Sequence, residues 1–171
     1  MGKKSVKQNK NVYFQSREDA GLTRAQASEK MEYISESRIE KIESGVTAVQ
    51  PDDVTAMARA YKKPELCNHY CVHECAIGKQ MVPEIQISSL SEIVLGLLSS
   101  LNTFDTHKNR LIDITVDGKI DSSELQDFAR IKTNLDKLSI TIEGLKLWCE
   151  KTIAEGDVDK ETFAQLCKGM Q

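Results

Sequence analysis

Residues 21–45 of the chain read GLTRAQASEKMEYISESRIEKIESG. The pattern predicts two short helices joined by a tight turn. Thr23 and Ser35 are side-chain caps at the start of the first and the second helix, because a hydroxyl there accepts a hydrogen bond from an otherwise unpaired backbone N–H. Gly45 supplies the left-handed residue that commonly ends a helix. Both boundaries of the second helix therefore follow from local chemistry.

The second of these helices has an apolar side and a polar side. Ile39 and Ile42 are three residues apart and are expected to face a core. The polar side chains near the helix N-terminus then point away from that core, where a partner could contact them. These residues are Ser35, Glu36, Ser37, Arg38 and Lys41.

The segment resembles the helix-turn-helix domains of the phage repressor, Cro and Xre family. Those domains typically combine Gly-Leu-Thr, an alanine-rich helix, Ile-Ser, and a short helix ending in Ile-Glu-x-Gly before a proline. The matching residues here are 21–23, Ala25, Ala27, 34–35, 38–45 and Pro51. The resemblance covers about residues 9–62. It implies a preceding helix over 11–20 and a following one over 51–61.

The resemblance also implies a function. Family members usually bind double-stranded DNA as homodimers, with the second helix in the major groove. That assigns DNA contacts to Arg24 and to the five polar residues named above. Glu32 and Tyr33 stand where the family usually has a turn glycine, and acidic side chains at Glu36, Glu40 and Glu43 oppose the attraction to phosphates. Glu36 could instead accept a hydrogen bond from cytosine, and a helix-turn-helix fold that no longer binds DNA stays open as an alternative.

Composition favours an all-α protein of one or two small domains. The chain has 171 residues with only three prolines, 40% hydrophobic and 29% charged residues. Residues 1–63 hold 12 basic and 9 acidic side chains, a charge of +3, whereas residues 64–171 hold 11 and 17, a charge of −6. This asymmetry suits a DNA-binding head on a separate domain. Lysines at positions 3, 4, 7 and 10 could form an arm that contacts phosphates, or a solvated tail.

The sequence predicts a cytoplasmic protein that does not contact membranes. The lysine-rich start is followed by polar residues rather than by the apolar core of a secretory signal. The most apolar run, residues 93–98, is far too short to cross a bilayer. The five cysteines are then expected to be reduced.

The segment 64–83 is expected to connect two domains, a helix-turn-helix domain over 1–63 and an assembly domain over 84–171. Pro64 opens and Gly78 closes a predicted helix that carries a stripe of three cysteines. These cysteines, Cys67, Cys71 and Cys75, are weak candidates for a metal or redox site. On a straight helix, one metal ion could bind only two of the three sulfurs. The sequence therefore favours reduced, mostly buried cysteines without a metal. A metal or redox sensor remains an alternative.

The C-terminal part is predicted to be a long antiparallel helical hairpin with a short terminal helix over 160–168. The first long helix covers 88–115, the second begins near Ser122, and a turn at 117–118 joins them. Alternating spacings of three and four predict a seam on the second helix for dimerisation, for a protein partner or for the hairpin's own core. Its residues are Phe128, Ile131, Leu135, Leu138, Ile142 and Leu145, followed by Cys149.

Two further kinds of chemistry are not favoured by the sequence. The spacing of acidic residues over 113–125 resembles that of a calcium-binding loop. However, Thr115 would be a weak ligand at the third loop position, and Val116 is bulky at the fourth. Asp121 and Glu124 are better explained as a helix cap with a capping box. The chain also shows none of the phosphate-binding or nucleophile motifs of common enzymes, so we expect neither a catalytic site nor a cofactor.

Overall fold

The computed structural model describes residues 11–116 and 118–170, and every regular element in that part of the chain is an α-helix. The predicted all-α fold is therefore confirmed. The described residues form two compact units. One holds the residues up to Val82 together with those from Glu150 onward, and the other is Pro83–Cys149. The domain limits expected at residues 63 and 83 stay a prediction.

In the described part of the chain, six helices precede the hairpin. They are α1 (Val12–Asp19), α2 (Arg24–Met31), α3 (Glu36–Glu43), α4 (Pro51–Tyr61), α5 (Glu65–His73) and α6 (Gly78–Met81). The first four occupy the segments in which the sequence predicts helices. Together with α5 they pack around a buried apolar core whose largest fully enclosed side chains are Ile34, Ile39, Ile42, Val54, Met57 and Leu66.

The caps of the two central helices form as the sequence predicts. The Thr23 hydroxyl accepts a hydrogen bond from the Gln26 backbone N–H at 3.2 Å, and the Ser35 hydroxyl accepts one from that of Arg38 at 3.3 Å. Gly45 has a φ of +73°, which suits a residue without a Cβ. Glu32 takes a φ of +59° in the turn, where related domains usually carry a glycine. A non-glycine residue thus adopts a backbone conformation that costs it energy.

The structure corrects the prediction for the cysteine-rich segment. Helix α5 ends at His73, and Gly78 begins α6 instead of closing α5. Cys75 therefore lies in the turn between the two helices, where its sulfur accepts a weak hydrogen bond from the Gly78 N–H at 3.4 Å. This turn requires a glycine at position 78, because a Cβ there would lie only 2.2 Å from the Cys71 carbonyl oxygen. The three cysteines do not form one helical stripe, and they are half-buried rather than mostly buried.

The remaining elements are α7 (Leu90–Thr115), α8 (Leu125–Glu155) and α9 (Lys160–Lys168). The long helices α7 and α8 pack as a hairpin, and α9 matches the predicted terminal helix. Arg110 of α7 donates a hydrogen bond to Asp127 of α8 at 2.8 Å. Further from the hairpin turn, a Cβ at Gly96 would lie 3.4 Å from the Thr141 methyl group, so the helices approach closely there. One residue of the predicted turn, at position 117, lies outside the described residues.

The hairpin turn ends in the predicted capping box. The Asp121 carboxylate accepts hydrogen bonds from the backbone N–H groups of Ser123 and Glu124, and the Glu124 carboxylate accepts one from the Asp121 N–H. Regular helix starts four residues later than Asp121, at Leu125. These bonds use the carboxylates of both residues and account for their spacing.

Candidate nucleic-acid interface

Helices α2 and α3 and the turn between them carry the residues for which the sequence predicts DNA contacts. Ile39 and Ile42 are buried in the core, which fixes the orientation of α3 about its own axis. The opposite side of α3 is exposed at Ser35, Glu36 and Ser37 and, one turn later, at Lys41. The predicted polar side therefore exists, and it begins at the helix N-terminus, the end that a recognition helix directs at bases.

Arg38 differs from its neighbours because its guanidinium is bound to another helix. Its Nε donates to Asp53 Oδ1 at 2.9 Å, and its Nη2 donates to Asp53 Oδ2 at 2.6 Å. The Arg38 side chain is only 38% exposed, and the Asp53 side chain is 5% exposed. Asp53 also accepts a hydrogen bond from the Gln50 backbone N–H at 2.9 Å, at the start of α4. One carboxylate thus caps α4 and holds the arginine of α3.

The charges of this pair stabilise one another. Burial acts to raise the pKa of Asp53, but hydrogen bonds from Arg38 and from the Gln50 backbone, together with the charge of the guanidinium, bring that pKa below its ordinary value. The hydrogen bond to Asp53 and its negative charge raise the pKa of Arg38. Both groups are therefore charged near neutral pH, and the guanidinium is fixed rather than free to rotate.

A buried ion-pair cluster behind α3 corrects the expectation for Glu43. The sequence places Glu43 on the exposed side of α3, yet it is 3% exposed. Its carboxylate accepts hydrogen bonds from Arg17 of α1 and, at 2.9 Å, from Nε of Arg24 at the start of α2. Arg17 is 5% exposed and also donates to the Leu22 carbonyl at 2.6 Å. Glu43 therefore stabilises the domain instead of repelling a partner.

The same cluster constrains Arg24, the predicted DNA contact on α2. Its Nη1 lies 3.3 Å from the exposed Glu40 carboxylate, in addition to the bond with Glu43. Its side chain stays 31% exposed, so part of the guanidinium can still be reached from solvent. Lys41 is the remaining cation of the predicted set, and its ammonium makes no ion pair with the described residues.

The predicted interface is therefore close to electrically balanced. Arg24 and Arg38 each bind carboxylates, while Glu36 and Glu40 are exposed next to Lys41. Phosphate neutralisation would depend on Lys41 and on the parts of the arginines that remain accessible. The lysine arm predicted at positions 3, 4, 7 and 10 lies outside the described residues.

Sequence reasoning missed Asp53 and Arg17. The position of Asp53, three residues after Gln50 and two after Pro51, indicates a role in helix capping. Its bond to Arg38 depends on how α3 packs against α4, which no local pattern encodes. Arg17 lies within a predicted helix without any local sign of burial, and only the fold brings it to Glu43.

Among the described residues, no group of three or more His, Cys, Asp or Glu side chains is arranged to hold a metal ion. None of the helices in that part of the chain is both long and apolar enough to span a bilayer.

Comparison with known proteins identifies the N-terminal part of the chain. The family model of a helix-turn-helix domain matches residues 15–71, from within α1 to within α5. This agrees with the resemblance to the Xre type seen in the sequence. No curated protein and no solved structure matches the chain. A domain of this kind is typical of DNA-binding regulators.

Proposed function

We propose that this protein, whose residues 15–71 match a helix-turn-helix domain, binds an operator in double-stranded DNA as a homodimer and regulates transcription. The observation that supports the proposal most is the construction of α3. Its apolar side is locked into the core by Ile39 and Ile42, and its exposed N-terminal side is polar over Ser35–Ser37. That arrangement suits insertion of the helix into a major groove.

The side chains divide by chemistry into two groups. Lys41 and the accessible part of Arg24 would contact phosphates, because such contacts need positive charge but no fixed orientation. Ser37, Glu36 and Arg38 would contact base edges, where a fixed orientation matters. Binding across the two halves of a pseudo-palindromic site would control access by polymerase. The proposal includes a cytoplasmic location and no catalytic step.

A binding selection tests this proposal directly. The full chain is presented with random duplex DNA at a stated salt concentration, and bound sequences are read after several rounds. Enrichment of one sequence is expected. The double variant Arg38→Ala, Lys41→Ala should then bind that sequence more weakly, with a salt slope reduced by about 1, because Lys41 is the one of the two that contacts a phosphate.

A matched control separates the interface from total charge. Arg130→Ala combined with Lys132→Ala removes the same two charges from exposed positions on α8. Its effect on the salt slope should be small. Absence of any enriched sequence, or equal effects of the two double variants, would count against the proposed interface.

A second candidate function is a protein-interaction module with a helix-turn-helix fold that does not bind DNA. The balanced charge of the predicted interface favours it, because both arginines are already bound to carboxylates. Large apolar side chains exposed on α7 and α8 also favour it. Under this alternative the selection enriches no DNA sequence, at low as well as at moderate salt.

A further inference from the structure

A polar groove lies along one side of the hairpin, between α7 and α8 and within one of the two compact units. Its cavity has a volume of about 470 Å³, and small-molecule sites typically have roughly 300 to 1,000 Å³. Its polar lining residues are Thr103 of α7 and Gln126, Arg130, Thr133, Asn134 and Lys137 of α8. None of the described residues that line it is acidic, although residues 64–171 have a charge of −6.

Asn134 is the one buried residue among those that line the groove, with 5% of its surface exposed. It follows the buried Ile131 by three residues on the side of α8 that faces α7, where helix packing normally places an apolar side chain. Its amide donates a hydrogen bond of only 3.5 Å to the Ser100 carbonyl, and its oxygen accepts none from the described residues. A buried amide with an unmet acceptor costs stability unless a partner completes its bonding.

The Asn134 oxygen is open to the groove. Side-chain oxygen or nitrogen atoms that are both fully enclosed and without a partner occur, in the described part of the chain, only in Tyr61 and Glu65. The Asn134 oxygen has no partner and is not one of them, so it is not fully enclosed. The groove therefore has a hydrogen-bond acceptor that is held in place by a buried side chain.

The groove also carries positive charge that is not fully compensated. Arg130 lies 3.5 Å from Asp127, but the same carboxylate accepts a hydrogen bond from Arg110 at 2.8 Å. Two guanidinium groups thus share one negative charge. Lys137 makes no ion pair with the described residues, and the acidic residue before it is paired with Lys132 at 2.6 Å. An anion in the groove would supply the charge that Arg130 and Lys137 lack.

The lining residues of α8 set the shape of a suitable ligand. At 100° per residue, Gln126, Arg130, Thr133 and Lys137 point in directions that differ by at most about 60°. Arg130 and Lys137 are two turns apart, or about 10 Å along the helix, and Thr133 lies between them. Asn134 is turned further toward α7, at the same height as Thr133. A ligand that contacts all of these groups has negative charge at both ends and hydrogen-bonding groups in the middle.

We propose that the polar groove binds a small organic dianion, with an anionic group near each end and hydroxyl groups between them. Arg130 and Lys137 bind the anionic ends, and the Asn134 oxygen accepts a hydrogen bond from a central hydroxyl group. Sugar bisphosphates and sugar dicarboxylates share this chemistry. The site gives a reason for an amide at a position where packing alone favours an apolar residue, since such departures are expected at functional sites. The inference goes beyond the proposed function and does not depend on DNA binding.

Isothermal titration calorimetry of the full chain tests the inference, in dilute salt without phosphate or sulfate. Three probes share a hydroxylated six-carbon chain and differ in charge: glucarate has two carboxylates, gluconate has one and glucitol has none. Fructose bisphosphate has a phosphate at each end instead, so it distinguishes the two sources of the dianion. We expect glucarate or fructose bisphosphate to bind with a dissociation constant below about 1 mM. Gluconate should bind at least about tenfold more weakly, and glucitol should not bind measurably at about 10 mM.

Variants assign the binding to the groove. Asn134→Leu removes the acceptor and should weaken binding of the tighter dianion at least about tenfold. Arg130→Gln combined with Lys137→Gln removes both cations from exposed positions and should have an effect of at least the same size. Lys132→Gln combined with Lys146→Gln is the matched control, because it removes the same charge from exposed positions of α8 that do not line the groove. Its dissociation constant should stay within about twofold of the parent value.

Three results would overturn the inference. The first is that neither dianion binds at about 10 mM. The second is an equal loss in the two charge variants, which would indicate attraction by net charge alone. The third is an Asn134→Leu variant that binds as tightly as the parent, because the amide would then serve only the packing of α7 on α8. If circular dichroism shows that this variant unfolds, the two charge variants still decide. The titration contains no DNA, so its failure leaves the proposed function standing, and a failed DNA selection leaves this inference standing.

Discussion

Arg38 of α3 is held by Asp53 of α4 through two hydrogen bonds, from Nε at 2.9 Å and from Nη2 at 2.6 Å. This geometry presents the arginine in one orientation at the exposed side of α3. It occupies the Nε–Nη2 edge of the guanidinium and leaves Nη1 and the second N–H of Nη2 for a base edge. Arg38 can therefore offer a partner only its remaining N–H groups, in a direction that Asp53 sets.

The first prediction concerns this positioning. Asp53→Asn removes the negative charge and leaves Arg38 free to rotate. We expect the ratio of specific to non-specific DNA affinity to fall roughly tenfold, because an oriented contact to a base edge is lost. Affinity for non-specific DNA should rise slightly, since the protein gains one net positive charge. Both affinities are measured by fluorescence anisotropy at several salt concentrations.

Asp52→Asn is the matched control for Asp53→Asn. Asp52 is the exposed neighbour of Asp53 on the same turn of α4, and its substitution by asparagine changes the net charge by the same amount. Its backbone carbonyl accepts hydrogen bonds from the Tyr33 hydroxyl at 2.8 Å and from the Thr55 hydroxyl at 2.9 Å, and both can persist in the variant. The control should raise non-specific affinity as much as Asp53→Asn does and leave the ratio unchanged. Equal losses of specificity in both variants would show that Asp53 does not position Arg38.

The second prediction is the pH dependence of stability. The folded-state pKa of Asp53 is lowered, because the bonds from Arg38 and the Gln50 N–H outweigh its burial. The unfolded chain binds a proton at about 3.9, so the stabilisation by Asp53 is fully present above about pH 5. It is lost as the pH falls through the lower folded-state pKa. The difference in free energy of unfolding between parent and Asp53→Asn should therefore be constant from pH 5 to 7 and shrink toward pH 3.

Urea unfolding at several pH values measures that difference. Other carboxylates with lowered pKa values, such as Asp127 beside Arg110, contribute to both curves and cancel in the comparison. A difference that grows as the pH falls would have the wrong sign. It would place the folded-state pKa of Asp53 above that of the unfolded chain.

The sequence predicted α2, α3 and α4 well because their boundaries are determined locally. Thr23 and Ser35 cap their own helices, and Pro51 is the first residue of α4. The burial of charged side chains is not predicted in this way. A carboxylate on a helix gives the same local sequence pattern whether it contacts water or a buried arginine. Glu43 is predicted from the sequence to be exposed on α3, as Glu36 and Glu40 are. Only the packing of α1 beside α3 brings Arg17 to it.

The third prediction tests the buried cluster. Glu43→Ala leaves Arg17, which is 5% exposed, with a buried charge that has lost its main partner. Removing one member of a buried ion pair typically costs about 3 to 5 kcal/mol. We expect a loss of that size in the free energy of unfolding, which is a large part of the roughly 5 to 15 kcal/mol of a typical domain. Chemical denaturation followed by circular dichroism measures it.

Glu40→Ala provides the comparison. Glu40 also pairs with Arg24, at 3.3 Å, but its side chain is 58% exposed. Exposed pairs contribute at most about 1 kcal/mol, so this variant should be almost as stable as the parent. Similar losses in the two variants would mean that water reaches the Glu43 carboxylate in solution.

The heptad pattern of α8 predicted a helix with one apolar seam, and the structure divides that seam. Ile131 is buried, Leu138 and Leu145 are half-buried, and Phe128, Leu135 and Ile142 are exposed. In a coiled coil, the partner helix covers the whole heptad seam, whereas α7 covers only one edge of the seam on α8. The side of α8 that faces α7 carries Ile131 and Asn134, both of which are buried. Sequence periodicity identifies apolar positions, but it does not tell which neighbour covers each of them.

The last prediction concerns Asn134, on the side of α8 that faces α7. Asn134 is 5% exposed, and its amide donates only a long hydrogen bond, 3.5 Å, to the Ser100 carbonyl. Asn134→Leu exchanges this weak bond for buried apolar surface, and the Ser100 carbonyl can keep its bond within α7. We expect the hairpin to gain about 1 kcal/mol, visible as a higher Tm. Thr133→Leu, at the exposed neighbouring position, should change Tm much less. A lower Tm for Asn134→Leu would indicate that the buried amide contributes more to holding α7 and α8 in register than its one long bond suggests.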